Sequence, residues 1–139
     1  MSPRVFGVIN MSKSEILIID DEIEICLNIK DMFQLEGYGA DFATTAKDAF
    51  KKIDENGHKL ILVDIKLEGR VSGIDIIKSF KEKPARPKLI IISAIPRAAL
   101  DPTFIREGIV HLIDGFLNKP NCCDPEKLVQ LAKKTLGST

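Results

Sequence analysis

Five short apolar runs, separated by stretches with helical spacing, constrain this chain more than any other feature of it. EILIID (15–20), YGADFA (38–43), KLILVD (59–64), KLIIISA (88–94) and DGFLNKP (114–120) read as strands. The first is isoleucine-rich and buried, the second more exposed, and the fourth is continuously apolar and expected to be central. Between them, Ile25, Ile29, Met32 and Phe33 recur at helical spacing from Glu22 to Glu36, with Gly37 as the stop. TTAKDAFKKI is a second helix capped by Thr44 or Thr45, and GIDIIKSFKE (73–82) a third. Residues 97–113 are least legible, because Pro102 and Gly108 interrupt helical pieces. A last helix is capped by Asp124, opens on Pro125 and buries Leu128, Leu131, Ala132 and Leu136. Five such repeats imply an α/β fold: a parallel sheet with helices on both faces, joined by right-handed crossovers.

At 139 residues the chain is one domain. Its 20 basic and 20 acidic residues cancel, so no basic field attracts nucleic acid directly. No apolar run approaches a membrane span, and MSPRVFGVINMSK lacks the apolar core of a secretory signal. Cys26, Cys122 and Cys123 form no disulfide framework and no CxxC motif. They read as reduced thiols of a cytoplasmic protein. His58 and His111 have no identifiable partners in the sequence.

In parallel sheets of this kind, chemistry collects at the carboxyl ends of the strands. Here those ends carry Asp20 and Asp21, Asp64, Ser93 and Lys119. Taken singly, each has a bland reading, since an acidic pair after a strand usually makes a turn or caps a helix. Ser93 alone would satisfy nearby backbone. Together they point to one crevice. Three clustered carboxylates raise one another's pKa, and a divalent cation removes the conflict. There are too few ligands for a calcium cage, whereas Mg2+ binds through one or two carboxylates and completes its shell with water and phosphate. Lys119 and the Ser93 hydroxyl suit phosphoryl oxygens, and a carboxylate can be the nucleophile. The site reads as phosphoryl chemistry on an aspartate.

IIDDE, LILVDIKLEG, IIISA and GFLNKP, in this order and spacing, resemble the receiver domains of two-component response regulators. The resemblance implies a flavodoxin-like, doubly wound five-stranded sheet of order 2-1-3-4-5 spanning residues 14–137, after an N-terminal extension of residues 1–13. It implies Asp64 as phosphoacceptor, Asp21 as direct magnesium ligand and Asp20 as a ligand acting mainly through water. The backbone carbonyl of Lys66 would complete the protein's ligands. Ser93 would be the switch hydroxyl, Lys119 the phosphate-binding lysine, Phe116 the switch aromatic, and Lys119–Pro120 a peptide often cis.

Departures from the pattern are Glu68 where proline is usual, and Gly73, nine residues after Asp64 rather than eight. Leu112-Ile113 stands where Gly-Ala is common, and the segment after Pro120 is about two residues longer than usual. The expected function is a phosphorelay switch rather than a turnover enzyme, phosphorylated by a sensor histidine kinase or phosphotransfer protein. A downstream protein or a homodimer would receive the signal. With no output domain before Thr139, the chain could act alone, relay phosphate, or be part of a longer regulator. The rival is a flavodoxin-like ligand-binding or phosphatase domain. DDEIEI after strand one would repel a flavin phosphate, and Lys66 and Glu22 stand where a haloacid-dehalogenase-type phosphatase would place its second aspartate.

Overall fold

The structure, a computed structural model, describes residues 14–68 and 72–137. The expected extension at 1–13 and part of the loop after Asp64 lie outside the described residues. Elements follow in the order β1 (Ile16–Ile19), α1 (Ile23–Leu35), β2 (Ala40–Ala43), α2 (Ala46–Glu55), β3 (Leu60–Asp64) and α3 (Ser72–Lys78). Then come β4 (Lys88–Ser93), α4 (Arg97–Glu107), a 3-10 turn (Val110–Leu112), β5 (Gly115–Asn118), α5 (Lys119–Cys122) and α6 (Pro125–Gly137).

All strand pairs are parallel, in the order β2-β1-β3-β4-β5. The strand order therefore agrees with the resemblance. β4 is interior, but the middle strand is β3. In β1, β3 and β4 the side chains alternate between two covered faces, whereas the edge strands β2 and β5 are partly open. Leu17, Ile19, Ile61, Val63 and Ile91 point to the face covered by α2, α3 and α4. Ile16, Ile18, Leu62, Ile90 and Ile92 point to the face covered by α1 and α6.

The local stops and caps are those the side chains dictate. Gly37 takes φ 91°, where a side chain would be strained, and ends α1. Gly37 N–H donates to Gln34 O at 3.0 Å and Tyr38 N–H to Phe33 O at 3.0 Å, the paired bonds of a Schellman stop. Thr45 Oγ1 accepts from Asp48 N–H at 3.0 Å to cap α2. Asp124 Oδ1 accepts from Glu126 N–H at 3.0 Å to cap α6.

Two segments depart from expectation. α4 continues through Pro102, because burial of Leu100 and Phe104 against the core outweighs local propensity. After β5 the chain makes one helical turn, α5, where a strand end was expected. No peptide bond among the described residues is cis, so Lys119–Pro120 is trans. Pro120 lies in the first turn of α5, where its fixed φ suits the helix. Among the described residues no helix is long and apolar enough to cross a membrane.

Candidate phosphoryl and cation site

Strand register brings the site together. Ile19 pairs with Val63, which sets Asp20 level with Asp64. Asp64 pairs with Ile92, and Ser93 with Asn118, so Ser93 and Lys119 follow one step on. Their side chains meet around a cleft of about 290 Å³ lined by Asp21, Glu22, Asp64, Lys66, Ser93 and Lys119, among others.

Lys119 is the hub. Its Nζ lies 3.0 Å from Asp64 Oδ2, 3.1 Å from Asp20 Oδ2 and 2.7 Å from Glu22 Oε2. Asp20 is fully buried beneath the cleft, and its Oδ1 accepts from Glu22 N–H at 2.8 Å. Its Oδ2 is buried and accepts no hydrogen bond, despite the lysine charge beside it. Asp64 is nearly as buried and accepts from Lys66 N–H at 3.2 Å through Oδ1. Asp21 is exposed at the rim, its Oδ2 accepting from Glu68 N–H at 2.9 Å.

Burial pushes the Asp20 carboxyl up to about 6; Glu22 N–H and Lys119 oppose the rise, and the Asp64 charge adds to it. Burial raises Asp64 as well, with Lys119 opposing. For Lys119, burial favours the neutral amine, but hydrogen bonds to Glu22 and Asp64 and the acidic charges hold its value above the ordinary lysine range. The ammonium is therefore locked in place as a cation.

Oxygens of Asp20, Asp21 and Asp64 lie within 4.8 Å of one another. One lysine cannot neutralise three carboxylates, and the buried Asp20 Oδ2 accepts no hydrogen bond although Lys119 Nζ lies 3.1 Å from it. The donor set is all oxygen, which suits a hard divalent cation. The residues present fit a magnesium ion.

Ser93 Oγ is engaged with its own backbone, accepting from Ile95 N–H at 2.8 Å and donating to Ile95 O at 2.9 Å, while lining the cleft. Phe116 is half-buried against the α4 side of the core, with the Arg97 guanidinium 5.8 Å from its ring centre. Beneath the site, the thiols of Cys26 and Cys122 are pushed up to about 12, chiefly by burial. They remain protonated donors, to Asp20 O at 3.2 Å and to Lys119 O at 2.9 Å respectively.

Two residues to which the sequence assigns no site role, Glu22 and Glu68, belong to the site. Glu22 reads as the start of a helix, yet it makes the shortest contact to Lys119. Its one signal is a third acid directly after an acidic pair. Glu68 adopts φ 53°, the sole non-glycine residue with positive φ among those described. Its N–H orients Asp21, and its carboxylate accepts from Ala46 N–H at the start of α2, at a long 3.4 Å. This explains the missing proline, whose φ is fixed near about −65° and which has no N–H. Glu68→Pro, the substitution the family pattern suggests, is expected to cost on the order of 2 kcal/mol or more and to loosen Asp21. Chemical denaturation reads the loss, and a neutral result would refute the conformational argument.

The model of the response regulator receiver domain family matches residues 16–133. The chain is 31% identical over 84 residues to sporulation initiation phosphotransferase F of Bacillus subtilis, covering 60% of this chain and 67% of that protein. It is 26% identical over 128 residues to the transcriptional regulatory protein ZraR of Salmonella typhimurium, covering 91% of this chain but 27% of ZraR. It likewise spans 34% of a CpxR homologue and 33% of ResD, about a third of each regulator.

Among solved structures, a CheY-like receiver domain protein from Methanospirillum hungatei superposes with TM-score 0.75 at 26% identity, over 89% of this chain and 94% of that one. TrrA of Thermotoga maritima, solved in complex with Mg2+ and a beryllium fluoride group, gives TM-score 0.70 at 27% identity, over 86% and 96%. None of these supports the flavin-binding or phosphatase alternative. Sheet order, the acidic cluster and a family match across most of the chain agree: this chain belongs to the response regulator receiver domain family.

Proposed function

We propose that residues 14–137 are the receiver unit of a cytoplasmic two-component phosphorelay, with Asp64 as its phosphoacceptor and residues 1–13 as an extension. The observation that carries this reading is the Lys119 ammonium bonded to Asp64 within a carboxylate cluster that opens on the cleft. In the reaction, an Asp64 oxygen forms a bond to phosphorus while the phosphorus–nitrogen bond of a donor phosphohistidine breaks and the imidazole leaves. The donor is a sensor histidine kinase or a phosphotransfer protein. The chain catalyses only its own phosphorylation and dephosphorylation.

Asp20, Asp21, Asp64 and the Lys66 backbone carbonyl would hold the magnesium ion, with Asp20 acting mainly through water. When bound, Mg2+ supplies the positive charge that allows one anion to approach another. Lys119 holds phosphoryl oxygens and gives up part of its contact with Glu22 and the carboxylates. Ser93 turns its hydroxyl from the Ile95 backbone toward the phosphoryl group. Phe116, half-buried on β5, follows that movement, and the β4–β5 surface shifts between two populations read by a downstream protein or a second copy.

The test is modification by acetyl phosphate, or spectral change with beryllium fluoride, with and without Mg2+. A single magnesium-dependent phosphoryl adduct is expected, and none on Asp64→Asn. Magnesium-dependent modification that persists at full extent in Asp64→Asn sinks the assignment.

A further inference from the structure

All three cysteines lie on the sheet face packed by α1 and α6, beneath the cleft. Cys26 and Cys122 are buried, and Cys123 is half-buried. The Cys122 and Cys123 sulfurs are in contact at 3.8 Å. Cys122 is the last residue of α5, and at Cys123, with φ −102° and ψ 6°, the chain has left the helix. The Cys122 thiol also holds the Lys119 carbonyl at 2.9 Å, fastening the residue whose side chain is the cationic hub.

We propose that Cys122 and Cys123 form a thiol–disulfide exchange site that closes reversibly into a vicinal disulfide and, on closing, unlatches the Lys119 backbone. The oxidant is a low-molecular-weight disulfide. Cys123, the more exposed thiol, attacks first: its sulfur bonds to one sulfur of the oxidant, and the other leaves as a thiol carrying the proton. Cys122, already in contact and protonated in the reduced protein, then gives up its proton as its hydrogen bond to Lys119 O opens, and attacks the Cys123 sulfur as the thiolate. The protein S–S bond forms, the mixed disulfide breaks, and a second small thiol leaves with the second proton. Two protein thiols are oxidised and one disulfide is reduced to two thiols. Proximity makes the second step effectively intramolecular.

The geometry sets both lability and effect. Adjacent Cα atoms are about 3.8 Å apart, closer than the roughly 4.4–6.8 Å of ordinary disulfides. The bridge is therefore strained and easily reduced, the mark of a regulatory bond. Closing from 3.8 Å to a bond of about 2.05 Å removes the Cys122 S–H, and with it the donor to Lys119 O. The chemistry does not depend on phosphoacceptor activity, so its success or failure is separable from that reading.

The test treats the full chain with oxidised glutathione and reads intact mass, free thiols after denaturation, and amide hydrogen exchange. The expected product has lost two hydrogens, retains one of its three thiols, and reverts with dithiothreitol. Exchange in the segment 115–124 should rise several-fold on closure. Cys26→Ser should behave as wild type, and Cys122→Ser should stop at a mixed disulfide on Cys123. A glutathione adduct that persists in the wild type, three free thiols after treatment, a bridge to Cys26, or closure without faster exchange would each overturn the proposal.

Discussion

At neutral pH, Asp20→Asn is expected to stabilise the metal-free protein by about 2 kcal/mol while weakening Mg2+ binding about 10–100-fold. The carboxylate is fully buried, and burial raises its pKa from 3.8 to about 6. The unfolded chain releases this proton at the ordinary value, so ionisation favours unfolding. The penalty is absent below 3.8 and complete above about 6. A shift of that size is worth roughly 3 kcal/mol, and water reaching the open cleft reduces it to about 2 kcal/mol. The stability of the metal-free wild type should therefore fall as pH rises through this window, and Asn should remove the share of that slope that Asp20 contributes, leaving the share from Asp64, whose carboxyl is also raised by burial. The amide oxygen can still accept from Glu22 N–H, and Lys119 keeps Asp64 and Glu22. Urea denaturation across pH, in chelator, measures both effects. An Asn variant less stable than wild type at neutral pH contradicts the argument.

Gly73→Ala is expected to be the most damaging small substitution. A Cβ at Gly73 would lie 2.2 Å from the Asp64 carbonyl oxygen and 2.7 Å from Ile65 Cα. These are backbone atoms of the segment that carries Asp64, the proposed acceptor, and they cannot rotate aside. Gly73 N–H also donates to Ile65 O at 3.0 Å, which pins the start of α3 against the end of β3. Relief requires moving either α3 or Asp64, at an expected cost of about 3 kcal/mol or more. Any folded fraction should accept phosphate from acetyl phosphate more slowly, because Asp64 moves relative to Lys119. Gly57→Ala is the control: nothing lies within 4 Å of its Cβ, and the change should stay within about 0.5 kcal/mol. Equal stability of the two variants would refute the close-packing account.

The parts of this fold that could be read from sequence are those where burial acts on a whole element. The isoleucine runs at 16–19 and 90–92 announce strands covered on both faces, and Gly37 announces a stop. α4 was obscured because Pro102 speaks against a helix locally, while Leu100 and Phe104 support it only through contacts far along the chain. α5 is hidden in the sequence because four residues carry no period, so the segment resembles a strand end. The site was legible where strand ends converge, since Asp20, Asp64, Ser93 and Lys119 each follow a recognisable apolar run. Glu68 was not, because its part is played by a backbone N–H at positive φ reaching a carboxylate 47 residues away. No side-chain pattern encodes that contact. The serine allowed two readings, and its hydroxyl now sits on the Ile95 backbone while facing the cleft.

Lys119 also bears on how the chain reaches its folded state. It meets Asp20 across 99 residues and arrives on the last strand of the sheet. In any intermediate where β1 and β3 have paired but β5 has not docked, Asp20 and Asp64 are gathered without their cation. Such a half-built sheet carries a charge conflict that only the last strand relieves, which discourages partly folded forms and couples the two ends of the chain. Native-state amide exchange provides the check, because the protected amides of β1 and β5 should then open together at one free energy rather than in sequence.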